Sequence, residues 1–280
     1  MSNGNDRSDY LFHYTSLENL ALILKNRTIR LGPLSKVDDL QESRSKELKN
    51  LGRFVFVSCW TDESEESIPM WNMYGKMESG VRIGLPKNPF VINRTTEADL
   101  ERALGKVKFD DHTNGGGVID SFINIADMIE KNFISPEALS KNILHEVRYT
   151  DDINLLEPKT ILSDSKVARL DLKNIGMYKN KYWEFQKEWR YLLHIYPLRF
   201  TPDAEQFAKR TTDFIHEVEK DNLINSIDYY DLQISPDSFR KMIITENPRL
   251  SLGNRILLSL LVEKYNPDAT ICESSLKGKI

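Results

Sequence analysis

The apolar positions of the chain follow two different periods, which predict strands and helices in turn. Runs that alternate or are almost continuously apolar predict strands near Phe12, Ile29, Val55, Val81, Val147, Tyr191 and Ile243. Apolar side chains that recur every three or four positions predict helices over residues 16–26, 68–75, 202–220 and 252–265. The run at residues 53–60, RFVFVSCW, is rich in β-branched and aromatic side chains, so it predicts a buried central strand.

These elements together predict an α+β fold with a mixed, mostly antiparallel sheet and helices packed on it. We expect a single domain over residues 10–280, with a helical insertion at about residues 88–176 that includes a helix over 118–133. Residues 1–9 are mostly Ser, Asn, Gly and Asp, which predicts a disordered tail.

Composition and charge narrow the classes of function. The chain has 280 residues, with 38 basic and 42 acidic side chains and a formal net charge of −4. That balance lacks the basic excess of a protein that neutralises many phosphates, so nucleic acid is not an expected partner. Local basic stretches at residues 44–49 and 173–187 are interpreted as solvated surfaces.

Cysteine content and hydropathy bear on location. Cys59 and Cys272 are far apart in sequence, which favours neither a disulfide framework nor a zinc cluster and predicts a reduced, cytoplasmic setting. No stretch reaches the roughly 18 consecutive apolar residues that span a bilayer, so we expect no membrane partner.

The first candidate site is the motif HYTSLE at residues 13–18, which joins the first predicted strand to the first helix. His13 and Thr15 share one face of an extended segment, and an imidazole and a hydroxyl so placed can grip the hydroxyls of a ribose or an amide. A structural role competes with this interpretation. Thr15 and Glu18 have the spacing of a capping box, and a histidine beside an apolar strand is often an ordinary core or edge residue.

The second candidate site is Glu188, followed two residues later by Arg190 on a predicted strand. Side chains two apart on a strand project together, so the guanidinium of Arg190 can hold the carboxylate ionised and oriented. A surface ion pair of little energetic value is the alternative. The aromatic side chains around the pair favour a functional role, because they would exclude water from it.

Several enzyme classes lack their motifs in this chain. The sequence has no glycine-rich phosphate loop, no His-Glu-x-x-His, no paired Cys-x-x-Cys and no Gly-x-Ser-x-Gly elbow. Asp38, Asp39 and Glu42 form the one acidic group considered as a metal site, and neighbouring basic residues favour a solvated loop instead. No metal is therefore predicted.

The order of several motifs resembles the family called domain of unknown function 2971, whose members are mostly bacterial. The motifs are HYTSLE at 13–18, VSCW at 57–60, MWNMYG at 70–75, GVRIG at 80–84 and EWR at 188–190. The resemblance runs from about residue 11 to residue 276. The chain departs from it after Leu34, where a loop that commonly carries Asn-Asp-Pro-Phe/Glu reads VDDLQE at residues 37–42.

The same elements resemble, more weakly, the ADP-ribosyltransferase fold of the His-Tyr-Glu class. That resemblance implies that NAD is the substrate, with His13 and Glu188 as catalytic residues. It also implies that Thr15, Tyr14 and Ser58 bind ligand, that Trp71 or Tyr74 stacks on nicotinamide, and that Arg190 orients Glu188 or binds pyrophosphate.

The resulting hypothesis is an NAD-dependent ADP-ribosyltransferase or NAD-cleaving effector of a bacterial toxin or phage-defence type, with an unidentified macromolecular acceptor. The alternative is a sensor that binds a nucleotide or another small ligand without turnover. A metal-dependent nuclease-type effector ranks third.

Overall fold

The strand expected at the centre of the sheet is present as β3 (Val55–Thr61), in which all residues except Cys59 are buried. The structure is a computed structural model that describes residues 9–76, 78–96, 98–99, 118–164, 167–199, 204–223 and 225–280. The predicted tail at residues 1–9 lies almost wholly outside the described residues.

The remaining elements follow the predicted periods closely in the first and last thirds of the chain. The other strands are β1 (Tyr10–Ser16), β2 (Thr28–Pro33), β4 (Gly80–Pro86), β5 (Asn93–Thr96), β6 (Val118–Ser121), β7 (Leu144–Glu146), β8 (Arg148–Thr150), β9 (Ile161–Asp164), β10 (Val167–Leu170), β11 (Tyr178–Asn180), β12 (Glu188–His194), β13 (Tyr230–Gln233), β14 (Ile243–Glu246) and β15 (Thr270–Cys272). The helices are α1 (Leu17–Asn26), α2 (Ile68–Tyr74), α3 (Ile125–Glu130), α4 (Ile153–Leu156), α5 (Ala204–Glu219), α6 (Pro236–Arg240) and α7 (Leu252–Tyr265).

The predicted fold class, a mixed and mostly antiparallel sheet with packed helices, is confirmed. Within the described residues the main sheet has nine strands, seven of them in the order β13-β2-β3-β1-β4-β14-β15, while β12 pairs with β3 and with β7. Its pairings are antiparallel apart from β14 with β15.

The sheet is covered on both faces by apolar side chains. Phe56 and Trp60 of β3 belong to a cluster that includes α1 and α7, whereas Val55 and Val57 belong to one that includes α5. Alternate residues of β3 therefore supply the two halves of the core, as expected for a central strand.

One edge of β3 is shared by two strands that diverge. Residues 56–57 pair with residues 32–33 of β2, and Thr61 pairs with Phe12 of β1. The opposite edge is paired with β12 along its whole length. Among the described residues, no strand pairs with residues 58–60 of β3 on the edge that β1 and β2 share. A cleft therefore opens there between β1 and β3.

Residues 88–176 differ from the predicted helical insertion. Their described part contains strands β5 to β10 as well as the short helices α3 and α4. The helix expected over residues 118–133 was wrong at its start, because residues 118–121 form β6 and pair with β5. The strand expected around Val147 is interrupted there, since β7 pairs with β12 and β8 pairs with β11.

Candidate functional site

The cleft at the fork between β1 and β3 contains two cavities that share one wall residue, His13. The first cavity, of about 230 Å³, is bounded by β1, β3, α2 and the start of β12. The second, of about 260 Å³, is bounded by β1, α1, β2 and Ser58 of β3. His13 thus lies between them at the point where the sheet divides.

The His13 side chain hydrogen-bonds to a backbone carbonyl of β3 that has no strand partner at the fork. Its Nδ1 lies 2.7 Å from the carbonyl oxygen of Cys59, one of the residues of β3 without a ladder partner on that edge. A carbonyl only accepts, so Nδ1 carries the hydrogen and donates. Burial lowers the pKa of His13, which favours the neutral ring. In that ring Nε2 is an acceptor, and no described residue hydrogen-bonds to it.

The walls of the first cavity combine aromatic and ionisable side chains. Phe12, Tyr14 and Trp60 line it, and the Trp60 ring lies 5.1 Å from the His13 ring, centroid to centroid. Tyr74 reaches it from the last turn of α2 and accepts a hydrogen bond of 2.7 Å from Gln186 Nε2. Burial and the nearby carboxylate of Asp38 raise the pKa of the Tyr74 phenol, which therefore stays protonated.

Behind this wall, four buried charged side chains form what we call the ion cluster: Glu42, Lys179, Glu188 and Arg190. One carboxylate oxygen of Glu188 accepts a hydrogen bond of 2.5 Å from Arg190 Nε, and the other accepts one of 2.7 Å from Lys179 Nζ. Both terminal nitrogens of Arg190 bind Glu42, and Nη1 also donates to the carbonyl of Gly176 at 2.7 Å. Two cations thus balance two carboxylates.

The pKa values of the two carboxylates in the ion cluster are shifted in opposite directions. Burial alone would raise the pKa of Glu188, but the charges of Arg190 and Lys179 outweigh it and lower the pKa to about 2. Burial dominates at Glu42 and raises its pKa, with Arg190 opposing. Glu188 is therefore ionised at neutral pH, and it also lines the first cavity.

The structure brings together some predicted site residues and separates others. His13, Tyr14, Tyr74 and Glu188 line the first cavity, and His13, Thr15 and Ser58 line the second. Tyr14 contributes mainly its ring to the first wall, because its hydroxyl already accepts a hydrogen bond from the Ser67 backbone at 3.0 Å.

Trp71 and Arg190 do not line either cavity. Trp71 is buried, donates to Glu66 at 2.9 Å and packs edge-on against Tyr14, so it is placed as a support for the wall and not as a stacking surface. Each side-chain nitrogen of Arg190 is bound within the protein. Arg190 is thus positioned to orient Glu188 and not to bind pyrophosphate.

The capping box proposed for Thr15 and Glu18 was wrong by one residue. Ser16 is the N-cap of α1 and accepts from the Asn19 backbone at 3.2 Å. Thr15 belongs to β1, and its hydroxyl accepts from the Asn19 side chain at 3.1 Å. The strand runs further than predicted, so Thr15 points into the second cavity without capping the helix.

Three members of the site were missed from the sequence: Glu42, Lys179 and Gln186. Glu42 was interpreted as part of a solvated acidic loop and Lys179 as part of a solvated basic stretch, yet both are buried. No local sequence signal identified them. Only the burial of Glu42 beside the Glu188–Arg190 pair shows that a second cation is needed, and Lys179 supplies it. The loop at residues 37–42, where the sequence departs from its resemblance, supplies both Asp38 and Glu42.

Two findings on metal ligands and on long apolar helices hold for the part of the chain that the structure describes. No group of three or more His, Cys, Asp or Glu side chains there is arranged to hold a metal ion. None of the described helices has the length and apolar content needed to cross a membrane.

Comparison with known proteins gives a match to a protein family. Residues 70–191 match the model of a family described as protein of unknown function (DUF2971). No curated protein and no solved structure matches the chain. The matched segment carries α2, β4, the 3₁₀ turn Lys181–Gln186 and the start of β12 with Glu188. Residues 70–191 are thus similar to the DUF2971 family, and over this segment the match confirms the resemblance that the ordered motifs predicted.

Proposed function

We propose that the cleft between β1 and β3 binds NAD and that the chain cleaves it or transfers its ADP-ribose to an acceptor. The observation that carries the proposal is the first cavity, to which three separate elements bring His13, Tyr74 and Glu188. Its aromatic walls suit a planar ring such as nicotinamide, and its polar groups suit a ribose.

The size of the cleft supports a ligand with two halves. Each cavity is smaller than the roughly 300–1,000 Å³ of most small-molecule sites, so a ligand of ordinary size would occupy both. The first cavity has the aromatic side chains of Phe12, Tyr14 and Trp60 in its walls, while the second is lined by the polar side chains of Thr15, Asn19 and Asn26. This division matches a dinucleotide that passes His13, with nicotinamide in the first cavity.

The proposed reaction breaks the bond between nicotinamide and C1′ of its ribose. Nicotinamide leaves with the bonding electron pair, and the positive charge that develops on the ribose is stabilised by the carboxylate of Glu188. His13 Nε2 accepts a hydrogen bond from a ribose hydroxyl. Water or an acceptor hydroxyl, amine or carboxyl then adds to C1′ and loses its proton to solvent.

A second candidate, binding without turnover, is favoured by the ion pairs of Glu188. Both carboxylate oxygens are already engaged by cations, which reduces the negative charge available to a developing oxocarbenium ion. A sensor needs only the shape and hydrogen bonds of the cleft. The two candidates share a ligand and differ in chemistry.

The test is NMR observation of purified protein with NAD, following both binding and release of free nicotinamide. His13→Asn keeps an N–H donor for the Cys59 carbonyl and removes the acceptor at the position of Nε2. His13→Gln keeps an acceptor at the position of Nε2 and removes the donor to Cys59. We expect His13→Asn to lose binding and His13→Gln to retain part of it.

Glu188 requires a control because its loss leaves buried cations uncompensated. Glu188→Gln with Lys179→Met restores the charge balance of the ion cluster. Lys179 also lines the first cavity, so the double variant is compared with Lys179→Met alone to isolate the role of the carboxylate. Release that is lost in the double variant while NAD still binds supports the enzyme. Binding without release in the wild type supports the sensor, and no binding overturns both.

An NAD-cleaving chain would act where NAD is present, in the cytoplasm, as a toxin or phage-defence effector. Induced expression of the wild type is then expected to lower cellular NAD and arrest growth, and the charge-balanced variant is expected to do neither. Unchanged NAD on expression would contradict this role.

A further inference from the structure

Five polar side chains of the first cavity are joined by a series of hydrogen bonds, and we call them the polar wall: Glu188, Lys179, Gln186, Tyr74 and Asp38. Lys179 Nζ donates to Glu188 and to Gln186 Oε1, each at 2.7 Å. Gln186 Nε2 donates to the Tyr74 hydroxyl at 2.7 Å. The Tyr74 hydroxyl forms the last hydrogen bond of the series, to the Asp38 carboxylate. The polar wall therefore connects the ion cluster to the loop at residues 37–42.

The direction of each hydrogen bond in the polar wall is fixed by its two ends. An ammonium only donates, so the Gln186 oxygen faces Lys179 and the Gln186 N–H faces Tyr74. The Tyr74 oxygen accepts from Gln186, and its O–H is left for Asp38. A carboxylate only accepts, which agrees with this direction. The raised pKa of the Tyr74 phenol keeps that hydrogen in place at neutral pH.

Asp38 is the end of the polar wall at which a ligand can add a partner. Tyr74 supplies one hydrogen, whereas an ionised carboxylate can accept about four. Asp38 is exposed, and among the described residues no cation forms an ion pair with it. Glu188, the other carboxylate of the wall, is already bound by Lys179 and Arg190. Asp38 is therefore the charged acceptor that the first cavity offers to a ligand.

A free carboxylate beside aromatic walls restricts the groups that a bound ring can carry. A primary carboxamide presents two N–H hydrogens, so it can donate to Asp38 while its ring packs against the aromatic side chains. A ring with a carboxylate in that position would place two negative charges together without a hydrogen between them. A site built to accept a hydrogen bond rejects an analogue that lacks the donor.

We propose that Asp38 recognises the carboxamide of the nicotinamide ring, so that the cleft binds NAD and excludes its acid form, nicotinic acid adenine dinucleotide. This inference rests on the proposed function, because it concerns the same cavity and names the ligand class more narrowly. Asp38 determines specificity, and Tyr74 is the positioning residue that holds Asp38 through its O–H. Neither role requires that NAD be cleaved.

Lys36 also lines the first cavity, and its charge would favour the acid form. Its side chain is exposed, so its ammonium is strongly hydrated and screened by salt. Asp38 is instead held in place by the Tyr74 hydroxyl. We therefore expect Asp38 to decide the preference of the cavity.

The test is an NMR titration of the full chain with two pairs of probes: NAD and nicotinic acid adenine dinucleotide, then nicotinamide and nicotinic acid. In the wild type each amide is expected to bind at least about tenfold more tightly than its acid. Asp38→Asn removes the charge that repels the acid. It should bring the two dissociation constants of each pair to within about threefold of each other.

Asp39→Asn is the matched control, because it makes the same change of charge one residue further along. Asp39 lines neither cavity of the cleft, and its carboxylate accepts from the Gln41 backbone at 3.0 Å, which an asparagine oxygen can also do. It should keep the wild-type preference. Tyr74→Phe should lower the preference in part, because Asp38 loses the O–H that positions it.

The outcomes separate this inference from the proposed function. If NAD binds and its acid form binds equally well or better, the role of Asp38 is overturned and NAD remains the ligand. A preference for the amides that is unchanged in Asp38→Asn also overturns that role. Preference for nicotinamide over nicotinic acid without binding of NAD would retain the role of Asp38 and overturn the proposed ligand. Failure of all four probes to bind overturns both.

Discussion

Lys179 is the residue on which the charge balance of the ion cluster depends. Lys179→Met removes a cation and leaves two buried carboxylates to share Arg190. We expect the free energy of unfolding at neutral pH to fall by about 3–5 kcal/mol, the usual cost of breaking a buried ion pair. Urea denaturation measures the change.

Two further variants show whether charge is the cause. Adding Glu188→Gln to Lys179→Met should recover most of the lost stability, because the cluster is again neutral. Lys173→Met removes an exposed lysine nearby in sequence and should change stability by less than about 0.5 kcal/mol. Equal losses in Lys179→Met and in the double variant would contradict the role assigned to charge balance.

At the residue scale, the sequence predicts pairs that are close in the chain and misses those that are distant. The shared face of Glu188 and Arg190 follows from strand geometry, and the structure has the two side chains in direct contact. Nothing local distinguishes Lys179 or Glu42 from solvated charges. Their burial is decided by contacts with chain segments that the local pattern does not identify.

At the scale of elements, the placement of α2 depends on two glycines. A Cβ on Gly80, at the start of β4, would lie only 1.4 Å from the Gly75 carbonyl oxygen at the end of α2. We expect Gly80→Ala to push α2 away, displacing Tyr74 from Gln186 and lowering stability by more than about 2 kcal/mol. Thermal unfolding and the fluorescence of Trp71 would report both effects.

Gly253→Ala is the matched control, because open space surrounds a Cβ there. It is expected to be neutral or slightly stabilising. If Gly80→Ala unfolds at the same temperature as the wild type, the close approach of α2 to β4 does not constrain the site.

The elements themselves were largely predictable, whereas their pairing was not. The periods of β3, α2 and α7 are clear in the sequence, and all three elements are present. Residues 118–121 were assigned to a helix because an apolar run this short fits either period, and pairing with β5 decided in favour of a strand. The fork at β3 depends on which strands pair with β3, and the local sequence pattern does not carry that information.

At the scale of the whole molecule, the ion cluster makes the free energy of unfolding depend on pH in the acid range. The pKa of Glu188 is about 2 in the folded protein, below its ordinary value of 4.5. A carboxylate with a lowered pKa adds stability above its unfolded pKa and loses it as pH falls through the folded value. The free energy of unfolding should therefore drop between about pH 5 and pH 2, by at most about 3 kcal/mol.

Two other groups modify this dependence. The raised pKa of Glu42 acts in the opposite sense and reduces the drop. The lowered pKa of His13 adds a loss of stability as pH falls below the ordinary histidine value of 6.5. Denaturation curves from pH 7 to pH 2 should show a shallower acid slope in Glu188→Gln with Lys179→Met, and an unchanged slope would contradict the assignment.

The ion cluster also has a consequence for how the chain reaches its native state. Glu42 and Arg190 are 148 residues apart in sequence, and Tyr74 and Gln186 are 112 residues apart. Closing loops of this length costs entropy before any contact is gained, so such pairs form late in folding. The nascent chain therefore acquires its cleft only after β12 has been synthesised and has docked against β3, and until then Glu42 remains in solvent.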